Sequence, residues 1–141
     1  MRRICWDTML LVYLLEGNAL FRPRADALLA RSRTRGDSLF TTLLAVGEVM
    51  AGAERFNQPL KATAVRKTLD EIGFRFLAFD AGAVRTFSVL RGREKLGVAD
   101  SIHLACAASA GVDLFLTGDK QLTKLDVPGI HFIADFNNSL M

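Results

Sequence analysis

The sequence predicts an α/β fold: a three-layer α/β/α sandwich around a central, mainly parallel sheet. Three observations predict it. Short apolar runs alternate with longer helical segments along the whole chain. Gly or Pro punctuates most of the helical segments at an end, as at Gly17, Gly36, Gly73 and Gly111 or at Pro23 and Pro59. Runs such as Leu114–Phe115–Leu116 are apolar on consecutive residues, as strands covered on both faces are.

Taken in order, Arg3–Trp6 reads as a first strand, and Asp7 precedes a helix from about Thr8 to Glu16, closed by Gly17. Pro23 opens a second helix, which runs to about Arg35 with Gly36 behind it. Ser38–Thr41 is a short second strand, and Thr42 caps the long helix "LLAVGEVMAGAERF". Pro59 starts a helix that ends near Gly73, and Arg75–Phe79 alternates as a third strand. Asp80 caps a helix to about Lys95, and a loop through Gly97 leads to the helix "ADSIHLACAASA", ended by Gly111. Asp113–Leu116 is the fourth strand, a short helix starts at Asp119, and "GIHFIA" is the last strand.

The chain has 141 residues, half of them hydrophobic, which suits one core and a single domain over 1–141. Neither repeats of 20–50 residues nor long Pro- or Ser-rich linkers divide it. The opening "MRRICWDTMLLVYLLEG" has the charge of a secretory leader, but Asp7 interrupts it and its apolar run is short, so a cytoplasmic protein with no membrane association is expected. Cys5 and Cys106 lie in apolar surroundings, as reduced structural thiols do. His103 and His131 are the only histidines, with no H-E-x-x-H or C-x-x-C. A zinc site therefore has little support, and His103 reads as a helix-surface or packed residue rather than a ligand.

Ligand sites of parallel sheets lie beyond the carboxyl ends of the strands. Asp7 directly follows the first strand, and Asp119 follows the fourth after Thr117 and Gly118. Asp100 lies in the first turn of the preceding helix. Taken singly, Asp7, Asp100 and Asp119 are equally good caps or turn residues. Glu48 differs: it is the only charged residue from Leu43 to Ala53, with no Arg or Lys within a turn or two. A carboxylate on a buried apolar helix is costly unless it faces a polar site. Carboxylates that converge without basic partners repel one another, and a hard divalent cation such as Mg²⁺ or Mn²⁺ relieves that repulsion. Phosphodiester hydrolysis uses such a site. Thr117 could orient a water or a ligand there.

The net charge is +3, from 18 basic and 15 acidic side chains. Setting the four acids aside leaves 11 acidic residues and a balance of +7, which suits a polyanionic partner. Arg91, Arg93 and Lys95 precede Asp100 and read as nucleic-acid contacts. Arg22, Arg24, Arg31, Arg33 and Arg35 crowd the second helix and read equally as a solvated face or as a contact with RNA or a partner.

The combination of strand–Asp7–Thr8, Glu48 in "TTLLAVGEVMAG", and "VADSIHLACAASAGVDLFLTGDKQL" resembles a PIN domain in the small form of VapC-type toxins. The resemblance covers nearly the whole chain. It implies the α/β/α sandwich and a Mg²⁺- or Mn²⁺-dependent endoribonuclease, toxin of a type II toxin–antitoxin pair, which inhibits translation or growth when free of its antitoxin. It makes Asp7, Glu48, Asp100 and Asp119 the metal ligands and Thr117 the hydroxyl beside them. It also implies a homodimer and a cognate antitoxin. Two alternatives stand beside it: a phosphoacceptor receiver-like signalling domain, since "LTGDK" supplies a Thr and a Lys, and a non-catalytic RNA- or protein-binding module on the same fold. A Walker-type phosphate loop is absent.

Overall fold

A computed structural model describes residues 1–137; residues 138–141 of the expected single domain lie outside the described residues. The elements run β1 (Arg3–Trp6), α1 (Thr8–Leu15), α2 (Arg22–Arg35), β2 (Ser38–Thr42), α3 (Leu43–Arg55), α4 (Pro59–Ile72), β3 (Phe74–Leu77), α5 (Ala83–Gly92), α6 (Val98–Ala110), β4 (Leu114–Thr117), a 3-10 turn (Leu122–Lys124) and β5 (Phe132–Asp135).

All five strands are parallel, in the order β3-β2-β1-β4-β5. The sheet is thus wholly parallel. One face carries Ile4, Trp6, Leu39, Leu114 and Leu116 against apolar residues of α1–α4 such as Leu10, Leu28, Val46 and Leu69. The other face carries Cys5, Phe40 and Phe115 against Leu90 of α5 and Leu104 and Ala107 of α6. With both faces covered, the strands are apolar on consecutive residues, as in the fully buried β4. The three layers predicted from sequence are these. A receiver domain orders its sheet 2-1-3-4-5, so the strand order removes that alternative.

Several boundaries differ from expectation. β3 covers Phe74–Leu77 rather than 75–79, because Gly73 closes α4 with φ of 118° and the strand begins at the next residue. Phe79 then leaves the sheet and packs edge-on against Phe87. The Asp80 carboxylate accepts from the Ala83 N–H as expected of a cap, but the helix begins only at Ala83, and it ends at Gly92 rather than Lys95. Asp119 starts no helix: its carboxylate accepts from the Gln121 N–H, and only the 3-10 turn follows. β5 starts at Phe132, since Gly129 at φ of 101° turns the chain before it.

Candidate active site

From β1 the chain winds outward to β2 and β3, then returns through α5 and α6 to place β4 on the other side of β1. The sheet therefore has its switch point between β1 and β4, the place where open α/β sheets bind ligands. A cleft of about 470 Å³ opens there. Asp7 and Thr8 enter it from the end of β1, and Gly118, Asp119 and Lys120 from the end of β4. Met9 and Tyr13 of α1, Glu48 of α3, and Ala99, Asp100 and His103 of α6 complete its lining.

Asp7 is both helix cap and cleft residue. Its Oδ1 accepts from the Thr8 N–H at 2.8 Å, and its Oδ2 accepts from the Thr117 hydroxyl at 2.8 Å. Thr117 is fully buried, and its hydroxyl also accepts from the Asp119 N–H at 3.1 Å. This one side chain ties the ends of β1 and β4 together and fixes where both aspartates start. Asp100 faces the cleft one helical turn before His103, and Gly97 rather than Asp100 caps α6.

Glu48 corrects one expectation. α3 is not buried all round: Leu43 is 42% exposed, and the Glu48 side chain is 38% exposed in the cleft wall. Nor does Glu48 lack partners. Its Oε1 accepts from the Thr8 hydroxyl at 2.8 Å and lies 2.9 Å from His103 Nε2. His103 is buried, and its Nδ1 lies 2.7 Å from the hydroxyl of Thr42, which also accepts from the Ala45 N–H at the start of α3. His103 is packed, as the sequence suggested, yet it belongs to the site. Its position three residues after Asp100, on the same face of α6, was the available signal.

The electrostatics record the convergence of the acids. Burial holds the Asp100 carboxyl above its ordinary value, Asp7 and Asp119 raise it further, and Glu48 adds to them while His103 acts the other way. No Arg or Lys forms an ion pair with Asp7, Glu48, Asp100 or Asp119 among the described residues. Nor does any group of three or more His, Cys, Asp and Glu form a ready-made metal-ligating cluster among them. The four carboxylates thus share a cleft and feel each other's charge without closing a dense cage. That donor set fits a hard cation that keeps several of its waters and takes one or two carboxylates directly. It does not fit a structural zinc site, which is a closed tetrahedron of Cys and His ligands. Burial raises the Cys5 thiol and pushes Cys106 up to about 11, so both behave as inert core residues.

The basic clusters lie elsewhere. Arg91 donates to the Leu96 carbonyl, Arg93 lines a separate cavity between α5 and residues 124–128, and Lys95 sits on the exposed loop with φ of 56°. None of the three lines the cleft; Lys120, which the sequence reading counted only towards the receiver-like alternative, does. In α2, Arg22 pairs with Asp26 and Arg35 with Asp37, while Arg24 donates to the Phe136 carbonyl and Arg33 to that of Ile72.

The family model of the PIN domain matches residues 4–128. No curated protein matches the sequence at a significant level. Among solved structures, a toxin–antitoxin complex from Klebsiella pneumoniae aligns with a TM-score of 0.68 at 23% identity, covering 90% of this chain and 94% of that one. DNA-bound VapBC from Salmonella typhimurium aligns at 0.74 and 19%, covering 96% and 99%. The sarcin–ricin-loop-cleaving toxin VapC20 of Mycobacterium tuberculosis aligns at 0.67 and 16%, covering 87% and 96%. At these identities the likeness is one of fold.

Proposed function

The chain belongs to the PIN domain family, and from that premise we propose that it is a divalent-metal-dependent endoribonuclease that hydrolyses RNA phosphodiester bonds as the toxin of a toxin–antitoxin pair. The observation that carries this reading is the meeting of Asp7, Glu48, Asp100 and Asp119 in one cleft at the β1/β4 switch point, with no Lys or Arg paired to them among the described residues.

In this reading the four carboxylates hold Mg²⁺ or Mn²⁺. When bound, the metal supplies a water of lowered pKa and neutralises charge on the phosphate. The chain's own contribution is placement. Asp7 is held by two hydrogen bonds, one from its neighbour's backbone and one from Thr117. Thr117 therefore acts by holding Asp7 and the Asp119 backbone rather than by orienting a water. Lys120, at the lip, draws an incoming phosphate towards the acids. Arg91, Arg93 and Lys95 contact RNA further out, beyond the cleft.

The partners follow by similarity. The aligned structures include complexes named as toxin–antitoxin or VapBC, so a cognate antitoxin is assigned to this chain, with a homodimer as its own state. Free of antitoxin, the nuclease inhibits translation or growth. No helix among the described residues is long and apolar enough to cross a membrane; a cytoplasmic location is part of the proposal, as is action of 1–141 as one domain.

The test is cleavage of total cellular RNA by the purified protein, with Mn²⁺ present and after chelation. Wild type is expected to give discrete products only with metal. Asp7→Asn and Glu48→Gln each lower the rate by at least about 10²-fold, the scale on which one electrostatic group acts in catalysis. Metal-independent cleavage, or full activity in both variants, would overturn the reading.

A further inference from the structure

We infer that His103 is a positioning residue that holds Glu48 in its metal-facing orientation through a hydrogen bond from Nε2 to Oε1. The inference rests on the reading of Glu48 as a metal-facing carboxylate.

The geometry leaves His103 little else to do. A carboxylate oxygen only accepts, so the 2.9 Å contact with Glu48 Oε1 requires a proton on His103 Nε2. That proton is present in the Nε2 tautomer and in the imidazolium alike, so nothing depends on which is populated. The Thr42 hydroxyl, 2.7 Å from Nδ1, occupies the other side of the ring. With both nitrogens engaged and the side chain only 4% exposed, His103 is no metal ligand itself. Thr42 is in turn fixed as the cap of α3, accepting from Ala45 N–H.

The result is a closed brace. It starts at the first turn of α3, crosses to α6 through Thr42 and the imidazole, and returns to α3 at Glu48. Thr8 adds a second donor to the same oxygen, Oε1, from the start of α1. Oε2 has no hydrogen-bond partner among the described residues and is the oxygen left for the cleft. Groups that fix a metal-binding carboxylate in this way matter to affinity although they never touch the ion.

Asn and Gln separate bracing from packing. Gln at this position reaches Glu48 with its amide N–H, whereas the shorter Asn keeps the reach to Thr42 and loses Glu48. The measurement is Mn²⁺ affinity by calorimetry on the metal-free protein, with a urea melt in chelator to confirm folding. His103→Asn is expected to weaken Mn²⁺ binding about 10-fold or more, the usual loss for an outer partner of a metal site. His103→Gln should stay within roughly threefold of wild type, a fraction of that same loss. In a Glu48→Gln background, His103→Asn should add no further loss.

Equal Mn²⁺ affinities for the Asn and Gln variants would overturn the role of His103, as would an undiminished Asn effect in the Glu48→Gln background. If Glu48→Gln itself bound Mn²⁺ like wild type, the metal-facing reading of Glu48 would fall first and the inference with it.

Discussion

The hydroxyl of Thr117 donates to Asp7 Oδ2 across 2.8 Å, joining the carboxyl ends of two adjacent strands, β1 and β4, at the point where the sheet changes direction. The same oxygen accepts from the Asp119 N–H. Thr117→Val removes both bonds without a change of shape. It is expected to cost about 1–3 kcal/mol, because buried polar groups are left unpaired. Thr117→Ser should retain most of that stability. Urea melts of the three proteins check this. A Val variant as stable as wild type would mean that the bond carries no structural weight.

Asp100 gives a pH dependence with a definite sign. Its carboxyl is raised in the folded protein, first by burial and then by Asp7 and Asp119. The native state therefore binds the proton more tightly than the unfolded chain does. Stability falls as pH rises through the native pKa and is recovered below it, towards the unfolded value. Metal-free Asp100→Asn should accordingly be at least as stable as wild type at pH 7, and that advantage should shrink at pH 4. Chemical denaturation in chelator at the two pH values reads it. A variant less stable than wild type at pH 7 would show a carboxylate held by favourable bonds instead.

RNA affinity should depend on salt through specific cations. On a catalytically inactive Asp7→Asn background, Lys120→Ala is expected to lower the slope of log affinity against log salt by about 0.7, the value for one phosphate contact on a single strand. Replacing Arg91, Arg93 and Lys95 together should flatten the slope further and leave the preferred cleavage sequence unchanged, since phosphate contacts carry no sequence information. An unchanged slope for the triple variant would make those side chains solvent for their loop, which the Arg91–Leu96 contact already shapes.

The parts of this molecule legible in its sequence are those set by local chemistry. Gly36 and Gly73 stop α2 and α4 where expected, because each adopts a positive φ that other residues avoid. The acids at the ends of β1 and β4 were legible for a similar reason: a parallel sheet sends both strand ends to one edge. The brace on Glu48 was not. Thr8 and His103 reach it from two other helices, and His103, held on its far side by Thr42, lies 55 residues away along the chain. A search for Lys or Arg near Glu48 in sequence could not find a histidine delivered by another helix. The half-exposed position of Glu48 was hidden likewise, since it follows from how α3 lies against α6 at the cleft.

The measurement that bears most directly on the central claim is thermal unfolding with and without Mn²⁺. A ligand that binds only the native state stabilises it by mass action. At a hundred times its dissociation constant Mn²⁺ adds about 2.7 kcal/mol, roughly 6–10 °C in Tm for a domain of this size. Four carboxylates sharing the cleft predict such a rise in wild type, and a much smaller one in Asp100→Asn and Asp119→Asn. A wild-type melt indifferent to millimolar Mn²⁺, or an equal rise in all three proteins, would contradict a metal site at Asp7, Glu48, Asp100 and Asp119.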